Sequence, residues 1–426
     1  MNNRRPAVSL LPISSAFLRV LCVEKLRPVR VAACLCLVAA QLQGADWPQW
    51  RGANRDGKAA EFSAPKAWPK ELAQKWKVAV GRGDASPALV GDKLYVFARD
   101  ETGEVTMCLD AATGKEAWRD RYDALASTEP RGEHPGPRGS PAVAGGKIVT
   151  YGVRGTLSCL DAASGKMLWR KNDFEGAWPK FFTSSSPMFA DGVCVAQLGG
   201  AENGGIVAYD PATGGQKWKW TGDGTAYASP TLLTAGETKM VVALTEKKIV
   251  CLALSDGKLC WEAPFVGQAR AYNCATPIVD GQTVIYSGAA RGAKAVKLEK
   301  AGGGFAAKEL WSNPEAAVQF NNPILKSGQV YGISQKGELF CLDAQSGKTQ
   351  WTAPLTKGGF GSIVDAGAVL MSLTPEGELA VFEPSDKEYK KLAGYKVGTD
   401  TYAYPVVAGN RVFVKDKDSV ALWTIE

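Results

Sequence analysis

The stretch Cys108-Leu109-Asp110-Ala111-Ala112-Thr113-Gly114-Lys115, followed by Trp118, decides the fold, because it returns as Cys159-Leu160-Asp161-Ala162-Ala163-Ser164-Gly165-Lys166 followed by Trp169. Further copies run from Tyr209-Asp210 through Gly214 to Trp218, from Leu254 through Gly257 to Trp261, and from Leu342-Asp343 through Gly347 to Trp351. In all five the glycine lies four residues before the tryptophan. A looser copy joins Leu298-Glu299 to Trp311 through a hairpin four residues longer, and Glu383-Pro384-Ser385-Asp386 opens a copy without a tryptophan. Self-similarity at a fixed period is the mark of a repeat architecture, in which each unit buries its apolar face against the next.

A second phrase precedes each copy: a small polar or aromatic residue, then Pro, then alternating apolar residues. The prolines are Pro87, Pro141, Pro187, Pro230, Pro277, Pro323 and Pro405, with Ser362 standing in for the seventh of eight. Units of 39 to 54 residues suit one four-stranded propeller blade each. Within one unit, Pro141–Ala144, Lys147–Tyr151, Thr156–Leu160 and Lys166–Trp169 are short strand-like runs separated by glycine turns. The last unit has three strands, Pro405–Ala408, Arg411–Lys415 and Ser419–Thr424, and then the chain ends. Leu72–Val78, with Trp76, looks like a fourth strand without its first three. Pairing the two would close the ring and hide both sheet edges. The expectation is therefore all-β: a single eight-bladed β-propeller of four-stranded blades over residues 70–426, closed by its N- and C-terminal strands. Trp76, Trp118, Trp169, Trp218, Trp261, Trp311 and Trp351 are expected on outer strands, docking blade on blade.

Residues 1–45 read as an export leader. An Arg-rich flank precedes the uncharged run Val31–Ala40, and the fifteen uncharged residues to Ala45 are too few to span a bilayer, which needs about 20. Val31-Ala32-Ala33-Cys34 has the look of a lipoprotein box, but Lys25, Arg27 and Arg30 stand where its apolar stretch belongs. Arg4-Arg5 lacks the rest of a twin-arginine signal. Six of the 50 Lys and Arg fall in this leader against one of the 43 acids, so the body is nearly neutral and carries no basic run. Nucleic acid is thereby set aside as a partner. Residues 46–69 form an extension before the propeller. An exported, cell-envelope or periplasmic protein is expected, monomeric, with no transmembrane segment once the leader is removed.

The phrase Leu-Asp-Ala-x-Thr/Ser-Gly-Lys-x-x-Trp resembles the tryptophan-docking repeat of pyrroloquinoline-quinone-type propellers, over roughly residues 70–426. That family includes quinoprotein alcohol dehydrogenases and a non-catalytic scaffold lipoprotein of the outer-membrane barrel assembly machinery. The opening Asp46-Trp47-Pro48-Gln49-Trp50-Arg51-Gly52 is similar to the start of many exported proteins of this repeat type. For an enzyme, the resemblance implies a quinone beside a disulfide between adjacent cysteines, with a calcium ion on nearby carboxylate and amide oxygens. This chain has no Cys-Cys pair. No cofactor is therefore expected, pyrroloquinoline quinone with calcium being the disfavoured alternative.

With a single histidine, most metal sites and any catalytic triad would fall on His134, which lies in a Pro- and Gly-rich linker; neither a metal site nor a catalytic residue is assigned. Cys108, Cys159, Cys251 and Cys341 share one slot of the repeat and read as buried fillers, while Cys251 and Cys260 could meet across one hairpin. Ser346-Gly347-Lys348-Thr349 lacks the first glycine of a phosphate loop. The candidate site is positional: residues just before each inner strand should line one mouth of the central channel. They are Asp84, Arg138, Thr183, Tyr227, Asn273, Asn321, Phe360 and Tyr402, with Arg270, Arg82, Phe182, Tyr272 and Asn322 close by. Such a funnel suits a small polar ligand or a protein segment. The function expected is a binding or scaffolding module, the alternative being a quinone-dependent oxidoreductase acting on alcohols or sugars. A third reading, carboxylate chemistry on a polymer, has no spacing to support it.

Overall fold

The computed structural model describes residues 46–129, 132–268 and 271–426; residues 1–45, expected to be a leader, and Arg270 lie outside the described residues. Thirty-two strands form eight antiparallel sheets of four, and no helix is present among the described residues. Blade 1 comprises Ala88–Val90, Lys93–Arg99, Gly103–Asp110 and Glu116–Asp123, and six further blades follow in the same order along the chain. Blade 8 takes Val406–Ala408, Arg411–Lys415 and Ser419–Thr424 from the C-terminus and Ala73–Ala79 from the N-terminus. Trp76 pairs with Leu422, so the ring closes through the two chain ends as the sequence predicts.

Local chemistry explains the repeated phrase. Asp110 Oδ1 accepts the Thr113 backbone N–H at 2.8 Å and its hydroxyl at 2.6 Å, and Asp161 with Ser164 and Asp343 with Ser346 repeat this turn. These bonds hold the three carboxyls below the ordinary carboxylate range. The following glycine is left-handed, with φ +72° at Gly114 and +73° at Gly165 and Gly257. The tryptophan of the preceding blade lies flat against that glycine: a Cβ at Gly257 would sit 2.6 Å from the Trp218 ring, and one at Gly114 2.8 Å from Trp76. Each indole N–H then donates to a carbonyl of the same turn, Trp76 to Ala111, Trp118 to Ala162, Trp169 to Pro211, Trp218 to Leu254, Trp311 to Ala344 and Trp351 to Ser385, at 2.8 to 3.2 Å.

Trp261 occupies the same strand position but meets a different neighbour. In blade 5 the turn is replaced by a long hairpin, Gly292–Ala301 with Gly304–Asn313, whose Phe305 and Ala307 pack on the blade 4 cluster beside Trp261. The repeated cysteines stand directly opposite tryptophans: Cys108 pairs with Trp118, Cys159 with Trp169, Cys251 with Trp261 and Cys341 with Trp351. All four are fully buried free thiols, and burial pushes Cys108 up to about 11 and Cys159 and Cys341 up to about 12. Cys251 and Cys260, left open by the sequence as a pair across one hairpin, are not bonded to each other. A bulge between Cys251 and Leu252 places Trp261 opposite Cys251 and leaves Cys260 unpaired, and both sulfurs are free.

The extension ahead of the propeller is part of its core. Trp47 exchanges backbone hydrogen bonds with Leu89 of blade 1, and Pro48 accepts from Val143 of blade 2. Arg55 donates to Pro187 at 2.9 Å in blade 3 and to Pro230 at 2.7 Å in blade 4. Trp50 reaches Thr276 of blade 5 and lies edge-on to Tyr404 of blade 8, and Arg51 donates to Pro323 of blade 6 at 2.7 Å. Ala59 and Gly57 pair with Asp365 of blade 7. Residues 46–59 thus contact all eight blades and plug the channel, with Trp47, Arg51 and Arg55 only 1 to 3% exposed.

Candidate functional site

The plug meets the inner strands at or within a few residues of their opening prolines, so the channel is filled at that level. Its neck is a belt of hydrogen bonds. Six of the seven residues that precede a proline offer their backbone N–H to the side chain of a counterpart: Ser140 to Ser186, Ser186 to Ser229, Ser229 to Thr276 and Thr276 to Asn322 in the next blade, Asn322 to Tyr404 past blade 7, and Tyr404 to Ser86 in blade 1. All are buried. A buried N–H without an acceptor would cost about 1–3 kcal/mol, which explains why a small polar residue precedes proline in the repeat.

Above the belt, several expected ligand contacts are committed to the scaffold. Thr183 donates to Gly152, and Asn273 donates to Thr245 and Phe265 while its carbonyl accepts from Arg291. Asn321 donates to Ile333 and Gly359 and accepts the Ile333 N–H. Arg138 ties its own linker together, donating to Ser127, to the carbonyls of Glu129 and His134, and to Phe181 across the blade junction. Burial lowers its pKa. The Tyr227 hydroxyl accepts the Phe181 N–H at 3.1 Å. Of the neighbours, Phe182 is buried under Trp178, Asn322 belongs to the belt, and Arg82 holds the Glu133 carbonyl.

Around these positions lies a set of aromatic rings. Phe320 and Phe360 stack at 4.4 Å and 3°, 43% and 39% exposed. Phe360 is edge-on to Tyr402 at 5.4 Å, and Tyr402 to His134 at 4.6 Å, giving one continuous arc. On the other side Tyr272 meets Phe181 at 5.2 Å and Tyr227 at 5.7 Å. Phe360, Tyr402, Tyr227 and Tyr272 are among the positions before inner strands that the sequence singles out. Phe320 and Phe181 lie one residue outside that frame and were missed, as was the belt, whose small polar residues were visible in the repeat without their partners. Beside the arc, His134 Nδ1 lies 3.0 Å from Asp84 Oδ2.

Amide oxygens that could ligate a cation already accept hydrogen bonds at Asn273 and Asn321, and Asp84 is engaged by His134. Among the described residues no three His, Cys, Asp or Glu side chains gather as a metal site. Arg51, Arg55 and Trp50 fill the space below the belt.

Comparison with known proteins places this geometry. The chain is 23% identical to the outer membrane protein assembly factor BamB of Yersinia pestis over 385 residues, 83% of this chain and 87% of that protein. It is 30% identical to the quinohemoprotein alcohol dehydrogenase of Comamonas testosteroni over 181 residues, 42% of this chain but only 25% of that enzyme. The structure of BamB from Moraxella catarrhalis superposes with a TM-score of 0.61 at 15% identity, covering 83% of this chain and 98% of that one. Residues 101–353 match the family described as outer membrane protein assembly factor BamB, and the chain belongs to that family of PQQ-like propellers.

Proposed function

We propose that the protein is an exported cell-envelope propeller that acts as a binding or scaffolding module, docking a segment of a partner protein on its funnel mouth. The observation that carries this reading is the exposed Phe320–Phe360 stack and its extension through Tyr402, above a channel filled by the protein's own N-terminal segment. Aromatic anchors at a rim, with the Thr183, Asn273 and Asn321 side chains behind them bonded to the scaffold, suit protein contact. The near full-length likeness to an assembly factor supports the same reading. A photo-crosslinking residue at Phe360 tests it: adducts with envelope proteins are expected there and not from the same probe at Gly236, in a turn at the opposite end of the ring. Equal labelling from both sites would overturn the mouth as the binding face.

The dehydrogenase likeness favours a second reading, a quinone-dependent oxidoreductase. Calorimetric titration with pyrroloquinoline quinone, with and without calcium, separates the two. No saturable binding is expected, and low-micromolar binding would establish the enzyme reading instead.

A further inference from the structure

Beside the aromatic arc lies the chain's one histidine, and three elements converge on it. From the junction of blades 8 and 1, Asp84 meets its Nδ1 at 3.0 Å. From the junction of blades 7 and 8, Tyr402 presents its ring edge-on at 4.6 Å, with Asp400 nearby in the same loop. Its own segment, Gly132–Arg138, contributes Glu133 and the Arg138 guanidinium, which donates to the His134 carbonyl at 2.7 Å. Arg82 reaches in to the Glu133 carbonyl, and Lys415 of blade 8 faces Asp84 from below, its amine held by the carbonyls of Asp416 and Lys417. Besides the Arg138 side-chain bonds, the segment is joined to the neighbouring residues by three backbone bonds, Asp84 N–H to Pro137 at 2.8 Å, Ser127 N–H to Pro135 at 2.9 Å and Gly132 N–H to Thr128 at 3.1 Å.

We propose that His134 is a pH-dependent latch on the funnel mouth: protonated, it ties Gly132–Arg138 to Asp84 and Tyr402, and neutral, it loosens that tie and opens the rim. The imidazolium–carboxylate bond is charge-assisted, and loss of the proton leaves a neutral donor in its place. The Asp84 hydrogen bond raises the histidine above its ordinary 6.5, against desolvation and the charge of Arg138, with Asp84 and Asp400 adding to the rise. The latch is therefore closed in acid and released as pH climbs through the raised value. Its consequence, stronger partner capture above that pH, rests on the mouth being the binding face. The latch itself does not.

The test needs no partner. In the untagged full chain His134 gives a single imidazole NMR resonance, expected to titrate above 6.5 and to fall by at least half a unit in Asp84→Asn. Hydrogen exchange of the Asp84 and Ser127 amides, corrected for the intrinsic pH dependence, is expected to quicken several-fold across that midpoint. In His134→Gln it should be pH-independent at the fast level, which decides the matter even if the Asp84 variant does not fold. A wild-type midpoint at or below 6.5, or amide protection that does not change with pH, would overturn the latch. A titrating latch without mouth crosslinks would leave it standing and remove only the binding-face reading.

Discussion

At the scale of single residues, the docking of tryptophan on glycine makes the sharpest predictions. Gly257 has φ +73°, a conformation that costs an L-residue about 1–2 kcal/mol, and a Cβ there would strike the Trp218 ring. Gly257→Ala is expected to lose more than that, measured by urea denaturation, because the ring must also leave its seat. Trp218 donates to the Leu254 carbonyl at 2.8 Å, whereas Trp261 meets no acceptor among the described residues. Trp218→Phe should therefore cost about 1 kcal/mol more than Trp261→Phe. Equal losses would mean that the bond to the turn contributes nothing. These features could be read from the chain because turn, glycine and ring are all local to the repeat. The mouth was less legible for the opposite reason: the position of Thr183, Asn273 and Asn321 tells where they sit, but their partners Gly152, Arg291 and Gly359 come from other loops.

At the scale of elements, the plug was the part the sequence concealed. Asp46–Gly57 has no alternating pattern, and the bonds of its two arginines to the inner strands join residues 131 to 272 positions apart. Its two arginines are buried without a carboxylate within ion-pair distance among the described residues, and their charge is met by carbonyl dipoles of the inner strands instead. Burial, with the neighbouring charge of Arg51, lowers Arg55 to about 9, still protonated at neutral pH. Arg55→Ala would leave acceptors in blades 3 and 4 unpaired, an expected loss of roughly 3 kcal/mol. Arg55→Lys keeps the charge but not the fork that reaches both blades, so an intermediate loss is expected. Thermal melts of the two variants check this ordering. A lysine variant as stable as the parent would show that charge alone seats the plug.

At the scale of the whole ring, the blade junctions share a titratable part. Asp110, Asp161 and Asp343 accept turn hydrogen bonds, and Asp210 a bond from Lys217 together with turn hydrogen bonds, that hold all four below the ordinary carboxylate value of about 3.9. A carboxyl depressed on folding stabilises the protein above its unfolded pKa, and that contribution is lost as pH falls through the folded one. In each case the carbonyl of the very next residue, Ala111, Ala162, Pro211 or Ala344, receives the indole of the preceding blade. Protonating the four aspartates therefore loosens four junctions over the same pH range, including the one at which Trp76 joins the closing strand to blade 1. Tryptophan fluorescence should report this as a single acid transition below about pH 4, with the His134 latch still closed. Asparagine can accept the same turn bonds without titrating, so the quadruple Asp→Asn variant should keep its fold and lose much of the acid transition. An acid midpoint unmoved in that variant would place the sensitivity elsewhere, with the buried Asp416 beside Lys77 as the next carboxylate to replace.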